Sequence, residues 1–329
     1  MALSPFSVTE QDLDVCYPWW LNLDVHSPFS NFELYKSREQ VVETETVRER
    51  PTMRVTFDTN VWNRMVFPER YVSSPNYLSL RKIKSAIRSG QVRGFISEGF
   101  GTVEAVRREN RAKFHAQNVP KVEVTNKCHG NSLNCITIEI KANHSLHPGI
   151  GEEFEDELNE ALAIGIKLLT TPYIGLPVPD RLRNNPHIYA EEVFATSDYN
   201  ERFGEVVRTI VDRGVGEGVL PALAKEFTAR LDGPRPTGLS DRALIYGVYQ
   251  YARASGLSKE KRQIEKAFAE SADGDVVAAH IAFGNDYLCT EDRGRSAVSP
   301  SIFDAENRAW LKTRYGVEIL NVYKLASLL

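Results

Sequence analysis

Four carboxylates stand where strands would hand over to helices or loops. Asp58 closes the run Arg54-Val55-Thr56-Phe57-Asp58-Thr59-Asn60, Glu104 follows Ser97 by seven positions, Asp275 ends Asp273-Gly274-Asp275, and Asp292 ends Thr290-Glu291-Asp292. Brought together without countercharge, such groups repel and some titrate upward, and a divalent cation relieves that repulsion. Mg²⁺ or Mn²⁺ suits an all-oxygen site, and two ions about 3.5 to 4 Å apart could activate a water and stabilise the leaving oxygen of a phosphodiester. This chemistry requires no His or Cys. Taken alone, Asp58 reads as the N-cap of the helix that follows it.

The elements needed to position these acids can be read from spacing. Val55 and Phe57 have the bulk and branching of a buried strand, and Val61 to Met65 resumes with helical apolar spacing. A helix is expected over Tyr77 to Arg88, ended by Gly90, then a strand over Val92 to Ile96, with Thr102 as a helix N-cap before Glu104. Val119 to Val124 and Cys135 to Lys141 read as paired strands joined through His129-Gly130-Asn131-Ser132. Helices follow over Glu152 to Leu169, Ile188 to Val211 with a break, and Leu220 to Leu231. Further helices are expected from Asp241 to Ala254 and Lys259 to Glu270, with Asp273-Gly274-Asp275 introducing another. Then come a strand Tyr287 to Thr290, a helix Ala305 to Tyr315 and a strand Val317 to Val322. Strands separated by helices argue for a parallel sheet in three layers, in which Asp58 and Asp292 share one edge.

Composition bounds the setting. The chain has 329 residues, 42% hydrophobic and 26% charged, with a formal net charge of −4, which describes a globular protein with no global attraction for nucleic acid. Binding a polyanion would therefore need a local basic patch or metal ions. No apolar run approaches a membrane span and Met1 to Ser7 lacks a secretory start, so a cytoplasmic protein with no membrane partner is expected. Cys16, Cys128, Cys135 and Cys289 are irregularly spaced and expected to be reduced. Cys128, His129, Cys135, His144 and His147 match no familiar zinc spacing; a hairpin with incidental polar residues accounts for them. His280, among Val277, Ala278 and Ile281, reads as a partly buried helix residue rather than a base. A P-loop is absent, and Asp58-x-Asn60 lacks the second aspartate of haloacid-dehalogenase phosphatases.

In order along the chain, Asp58-Thr59-Asn60, Ser97 with Glu104, Asp275-x-x-x-Ala279-x-x-Ala282 and Thr290-x-Asp292 resemble the motifs of PIN-domain nucleases. The resemblance covers residues 53 to about 110 and 240 to 325. It implies a three-layer α/β/α sandwich with a parallel central sheet and metal-dependent endoribonuclease activity. On it, Asp58, Glu104, Asp275 and Asp292 hold Mg²⁺ or Mn²⁺, and Asn60 and Thr290 support the acids or contact substrate. Glu98, also after Ser97, competes with Glu104 for the second place. Asp286 precedes its strand and is expected at the opposite edge of the sheet. Arg107, Arg108, Arg111 and Lys113 could meet phosphate, although a solvated helical face accounts for them as well. Residues 1–50 are expected as an N-terminal extension with aromatic anchors Trp19 and Trp20. The PIN-like domain then spans 51–329, interrupted by a mixed hairpin and helical insertion at about 115–236. Expected partners are RNA, with DNA admitted, and a second copy or a protein regulator. The alternative is a non-catalytic PIN-like module that binds nucleic acid or assembles with other proteins.

Overall fold

A computed structural model describes residues 52–329 apart from 102–103, 119–120, 130–132, 142–148, 172–181, 183–184, 191–197, 231–240 and 295–299, and gives the backbone alone in the strands between 121 and 141. The expected extension with Trp19 and Trp20 lies outside the described residues, as do the side chains of the Cys128, His129, Cys135, His144 and His147 group.

Five strands, β1 (Met53–Phe57), β2 (Val92–Ser97), β5 (Lys167–Leu169), β6 (Tyr287–Cys289) and β7 (Glu318–Leu320), form one all-parallel sheet in the order β5-β2-β1-β6-β7. The chain steps outward from β1 through β2 to β5, then crosses to the other side of β1 for β6 and β7. This reversal places a topological switch point between β1 and β6, and in open parallel sheets ligands bind beyond the carboxyl ends of the strands at that point. The alternation along β1 shows why it sits centrally. Val55 and Phe57 join an apolar core with Val61, Trp62 and Met65 of α1 (Thr59–Val66), Ile83 of α2 (Tyr77–Arg88) and Leu158 of α4 (Glu152–Ala163). Leu325 of the last helix, α10 (Val322–Leu328), joins the same core.

Thr56 points to the other face, where its hydroxyl meets His280 Nδ1 at 3.0 Å and accepts from Asn285 Nδ2 at 2.7 Å. His280 belongs to α8 (Ser258–Phe283), which lies against α5 (Asp198–Arg213); Phe283 packs edge-on against Phe95 of β2. Helices thus cover both faces, an arrangement compatible with three α/β/α layers. Four more helices are described: α3 (Arg108–Gln117), α6 (Val219–Ala229), α7 (Asp241–Ala254) and α9 (Ala305–Tyr315). No helix among the described residues is long and apolar enough to cross a membrane.

Several elements differ from their sequence expectation. The expected helix Glu152 to Leu169 ends at Ala163, because Gly165 adopts φ +101°, and Leu168 and Leu169 are then buried in β5 beside β2. The stretch expected as an insertion at 115–236 therefore supplies an edge strand of the main sheet. It also contains an antiparallel hairpin of β3 (Lys121–His129) and β4 (Leu133–Lys141), from Lys121 opposite Lys141 to His129 opposite Leu133. The expected last strand Val317 to Val322 shortens to β7, because Asn321 caps α10 by accepting from Lys324 N at 2.8 Å.

The largest difference is at Asp273-Gly274-Asp275, which introduces no new helix but lies inside α8, a continuous helix of 26 residues. An interior glycine weakens a helix by about 1 kcal/mol relative to alanine. Packing explains its presence: a Cβ on Gly274 would stand 2.8 Å from Gly216 Cα and 2.9 Å from Glu217 N. The glycine admits a neighbouring backbone rather than a turn.

Candidate active site

Asp58 follows β1 directly and caps α1. Its Oδ1 accepts from Thr59 N at 2.7 Å, and its Oδ2 accepts from Asn60 Nδ2 at 2.6 Å and Thr290 Oγ1 at 2.5 Å. The carboxylate is 3% exposed. Burial pushes its pKa up, the Asp292 charge adds to that, and the bonds from Thr290, Thr59 and Asn60 pull the other way. Thr290 and Asn60 also tie β1 to β6: Thr290 Oγ1 accepts from Asp292 N at 3.0 Å, and Asn60 Oδ1 accepts from Glu291 N at 3.0 Å. Capping and positioning are thus one arrangement, since the bonds that start α1 also fix the aspartate.

Glu104 comes to Asp58 from β2. After the strand, Glu98–Gly101 make a 3₁₀ turn, and the chain returns with Ala105 N donating to Phe100 O at 2.8 Å. Glu104 Oε2 accepts from Thr59 Oγ1. Burial pushes Glu104 up to about 7, the Asp58 charge adds to this, and Thr59 and the Arg111 guanidinium oppose it. Arg111 wraps the same turn, donating from Nη2 to Glu104 O at 3.2 Å and from Nε to Val106 O at 2.9 Å.

Glu98 is turned away. Its Oε1 accepts from Thr171 N at 2.6 Å and its Oε2 from Tyr189 Oη at 2.7 Å, on the β5 side of the sheet. Of the two glutamates after Ser97, Glu104 is the one beside Asp58.

The acid that α8 brings to this place is Asp273, and Asp275 is a correction. Two residues apart on a helix means about 200° of rotation, so the pair cannot share a face. Asp273 lines a narrow cleft with Asp58, Thr59, Ser97 and Glu104, over apolar walls from Trp62, Phe100 and Val276. Burial, and then the charges of Asp58, Glu270, Glu104 and Asp292, push its pKa well above the ordinary range. Asp275, 2% exposed, instead adds its charge to that of Glu98 around the Tyr199 hydroxyl, on the other side of the helix. The expectation of Asp275 rests on the resemblance of Asp275-x-x-x-Ala279-x-x-Ala282; a helix running through Gly274 instead puts Ala272, Asp273 and Val276 on the cleft side.

Asp292 lies past β6, half-buried, with Oδ1 accepting from Gly294 N at 2.8 Å. It stands outside the walls of the cleft but acts on Asp58 and Asp273 through its charge. Arg308 of α9 donates to Asp292 O and, at 2.6 Å, to Phe303 O, setting a cation beside this loop. Glu270 is a further neighbour, engaged by Ile302 N at 2.5 Å and Gly216 N at 3.1 Å. Asp286 is at the other end of the strands, accepting from Arg54 N at 2.8 Å. Burial lowers His280 to about 3, so it is a neutral core residue bonded to Thr56.

Arg107 is exposed just before α3 (Arg108–Gln117); the side chain of Arg108 lies outside the described residues. Sequence reasoning missed Asp273 and Glu270 as site neighbours and Arg308 altogether. Asp273 carried a legible signal, being one of two aspartates around Gly274, but only the helix phase separates them.

Among the described residues, no group of three His, Cys, Asp or Glu side chains stands in a metal-ligating arrangement. Asp58, Glu104 and Asp292 each accept from a protein donor. The donor set nevertheless fits a hard divalent cation: carboxylates from β1, the turn after β2 and α8 line one cleft, and burial together with neighbouring acidic charges pushes all three pKa values up. Compared with protein-family models, curated proteins and solved structures, the chain matches none.

Proposed function

We propose that the protein is a cytoplasmic, PIN-like, metal-dependent endoribonuclease that uses Asp58, Glu104, Asp273 and Asp292 as its acidic site. The observation that carries this reading is the convergence of Asp58, Glu104 and Asp273 on one cleft beyond the carboxyl ends of β1 and β2, with the Asp292 charge acting on Asp58 and Asp273. Asp58, Glu104 and Asp273 would hold the ion. Bound Mg²⁺ or Mn²⁺ supplies a Lewis acid that activates water and neutralises charge at the phosphodiester.

The protein's own groups do the rest. Thr59, Asn60 and Thr290 fix the Asp58 oxygens, so little reorganisation is required at the carboxylate. Glu104 Oε2 accepts from Thr59 Oγ1, so the residue that opens α1 also orients this second carboxylate. Arg111 and Arg308 place positive charge on either side of the acids, where phosphates flanking the cut would lie.

The test is Mn²⁺ titration and cleavage of labelled single-stranded RNA by wild type, Asp58→Asn, Asp273→Asn and Asp275→Asn. The first two variants should lose metal affinity by at least tenfold together with cleavage, while Asp275→Asn keeps its affinity. Equal Mn²⁺ affinity in wild type and Asp58→Asn would sink the metal site. The second reading, a non-catalytic nucleic-acid-binding module, is favoured by the engagement of every Asp58 oxygen with protein donors. Metal binding without cleavage would support it.

A further inference from the structure

We propose that the first turns of α2 and α10 form a stacking platform for the bases of single-stranded RNA, at the rim of the acid cluster. This rests on the RNA-cleaving reading and names how that site would choose its substrate.

Leu78 is 72% exposed and Tyr323 69% exposed, and single exposures of this kind are ordinary. Their shared position is not. Glu291 Oε1 accepts from Val322 N at 3.0 Å, one residue before Tyr323, and from Asn76 Nδ2 at 3.4 Å, two residues before Leu78. Glu291 N donates to Asn60 Oδ1, and Asn60 Nδ2 donates to Asp58. One glutamate, adjacent to Asp292, therefore ties both first turns to the residue that holds Asp58. The two helices pack on each other, and Gln91 Nε2, beyond the end of α2, donates to Leu329 O, beyond the end of α10, at 3.3 Å. They run in the same direction, so their first turns lie together.

The chemistry of this rim suits unpaired nucleotides. Tyr77 carries the Arg81 guanidinium 5.6 Å from its ring centre, with Nη1 3.5 Å from the hydroxyl. Arg81, Lys82 and Lys324 are exposed and have no acidic partner within salt-bridge distance among the described residues. On a chain of net charge −4 these three cations are available to phosphate. Aromatic faces interleaved with cations are what single strands use, bases stacking while phosphates meet the charges. Paired bases offer no face to stack on, so a duplex gains little here. A protein partner fits less well, because lysines are depleted from interface cores.

The test uses fluorescence anisotropy of a labelled ten-nucleotide RNA in EDTA, where metal-dependent cleavage is silent, with the same strand annealed to its complement as comparator. Tyr323→Ala should weaken single-strand binding about tenfold, Tyr323→Phe should leave it unchanged, and duplex binding should be indifferent to both, as stacking contributes about 1–3 kcal/mol per base. Arg81→Gln should lower the salt slope by about one. Equal single-strand affinity in wild type and Tyr323→Ala overturns the platform, as does an equal loss for duplex. No RNA binding by the wild type, with self-association that Tyr323→Ala abolishes in sedimentation, overturns it in favour of a contact between copies. Tyr323-dependent binding without Mn²⁺-dependent cleavage keeps the platform and removes the nuclease; cleavage with Tyr323-independent binding does the reverse.

Discussion

Thr290 links two of the acids. Its hydroxyl donates to Asp58 Oδ2 and accepts from Asp292 N, so one small side chain joins the ends of β1 and β6. Replacing it with valine keeps the shape and removes these bonds together with the one the hydroxyl accepts from Asn60 Nδ2 at 3.3 Å. Loss of a buried hydrogen bond to a charged group costs about 1 to 3 kcal/mol. Thr290→Val is expected to lower stability by about that amount in urea titrations and to weaken Mn²⁺ binding, while Thr290→Ser restores both. Full metal affinity in the valine variant would show that Asp58 needs no orienting partner. The residue scale was legible in the sequence where an acid is placed by its own strand, as at Asp58 and Asp292. It was not legible at Asp273, because two aspartates around one glycine differ only in helical phase.

The elements meet at a close backbone crossing. Helix α8 carries Asp273 past the Gly216 turn, itself at φ +54°, with Gly274 at the contact. On propensity alone, Gly274→Ala would stabilise the helix by about 1 kcal/mol. The added methyl would meet Gly216 Cα and Glu217 N, backbone atoms that cannot rotate aside. Overpacking of this kind typically costs about 1–3 kcal/mol, so the clash should win and α8 should shift. Gly274→Ala is therefore expected to lower the thermal midpoint and to weaken Mn²⁺ binding, since Asp273 is the adjacent residue. A raised midpoint would mean that α8 and the Gly216 turn are not in contact in solution. From sequence, Asp-Gly-Asp resembles a break, and the partner that makes the glycine necessary is 58 residues away.

For the whole molecule, Glu98 sets a pH dependence separate from the acid site. Burial raises its pKa from 4.5 to about 7 against the opposing bonds from Thr171 and Tyr189. The folded chain keeps this proton up to about pH 7, whereas the unfolded chain releases it near 4.5. Folding thus takes up a proton in that window, and stability falls as pH rises from about 4.5 to 7, then levels. The shift corresponds to about 3 kcal/mol. Glu98→Gln can still accept from Thr171 N, and the Tyr189 hydroxyl can turn to accept from the amide. The variant should match wild type near pH 5 and exceed it by up to about 3 kcal/mol at pH 8; parallel stability curves across that range would refute the assignment. Glu104 titrates in the same window and leaves a residual slope in the variant.

The sequence by itself determined what local rules can carry. The α2 and α9 boundaries, the run into β1, the β3–β4 pairing and the alternation of strands with helices all follow from apolar period, caps and glycines within one segment. The tertiary structure decided which strands are neighbours, and so which acids meet. That order put β5, inside a stretch read as an insertion, at the edge of the main sheet, sent Glu98 toward Tyr189 and Glu104 toward Asp58, and passed α8 unbroken across Gly216 so that Asp273 faces the cleft. The physical reason is range: a cap or a helical period is set by residues a few positions apart, whereas convergence of charge depends on packing between segments that the chain keeps more than two hundred residues apart.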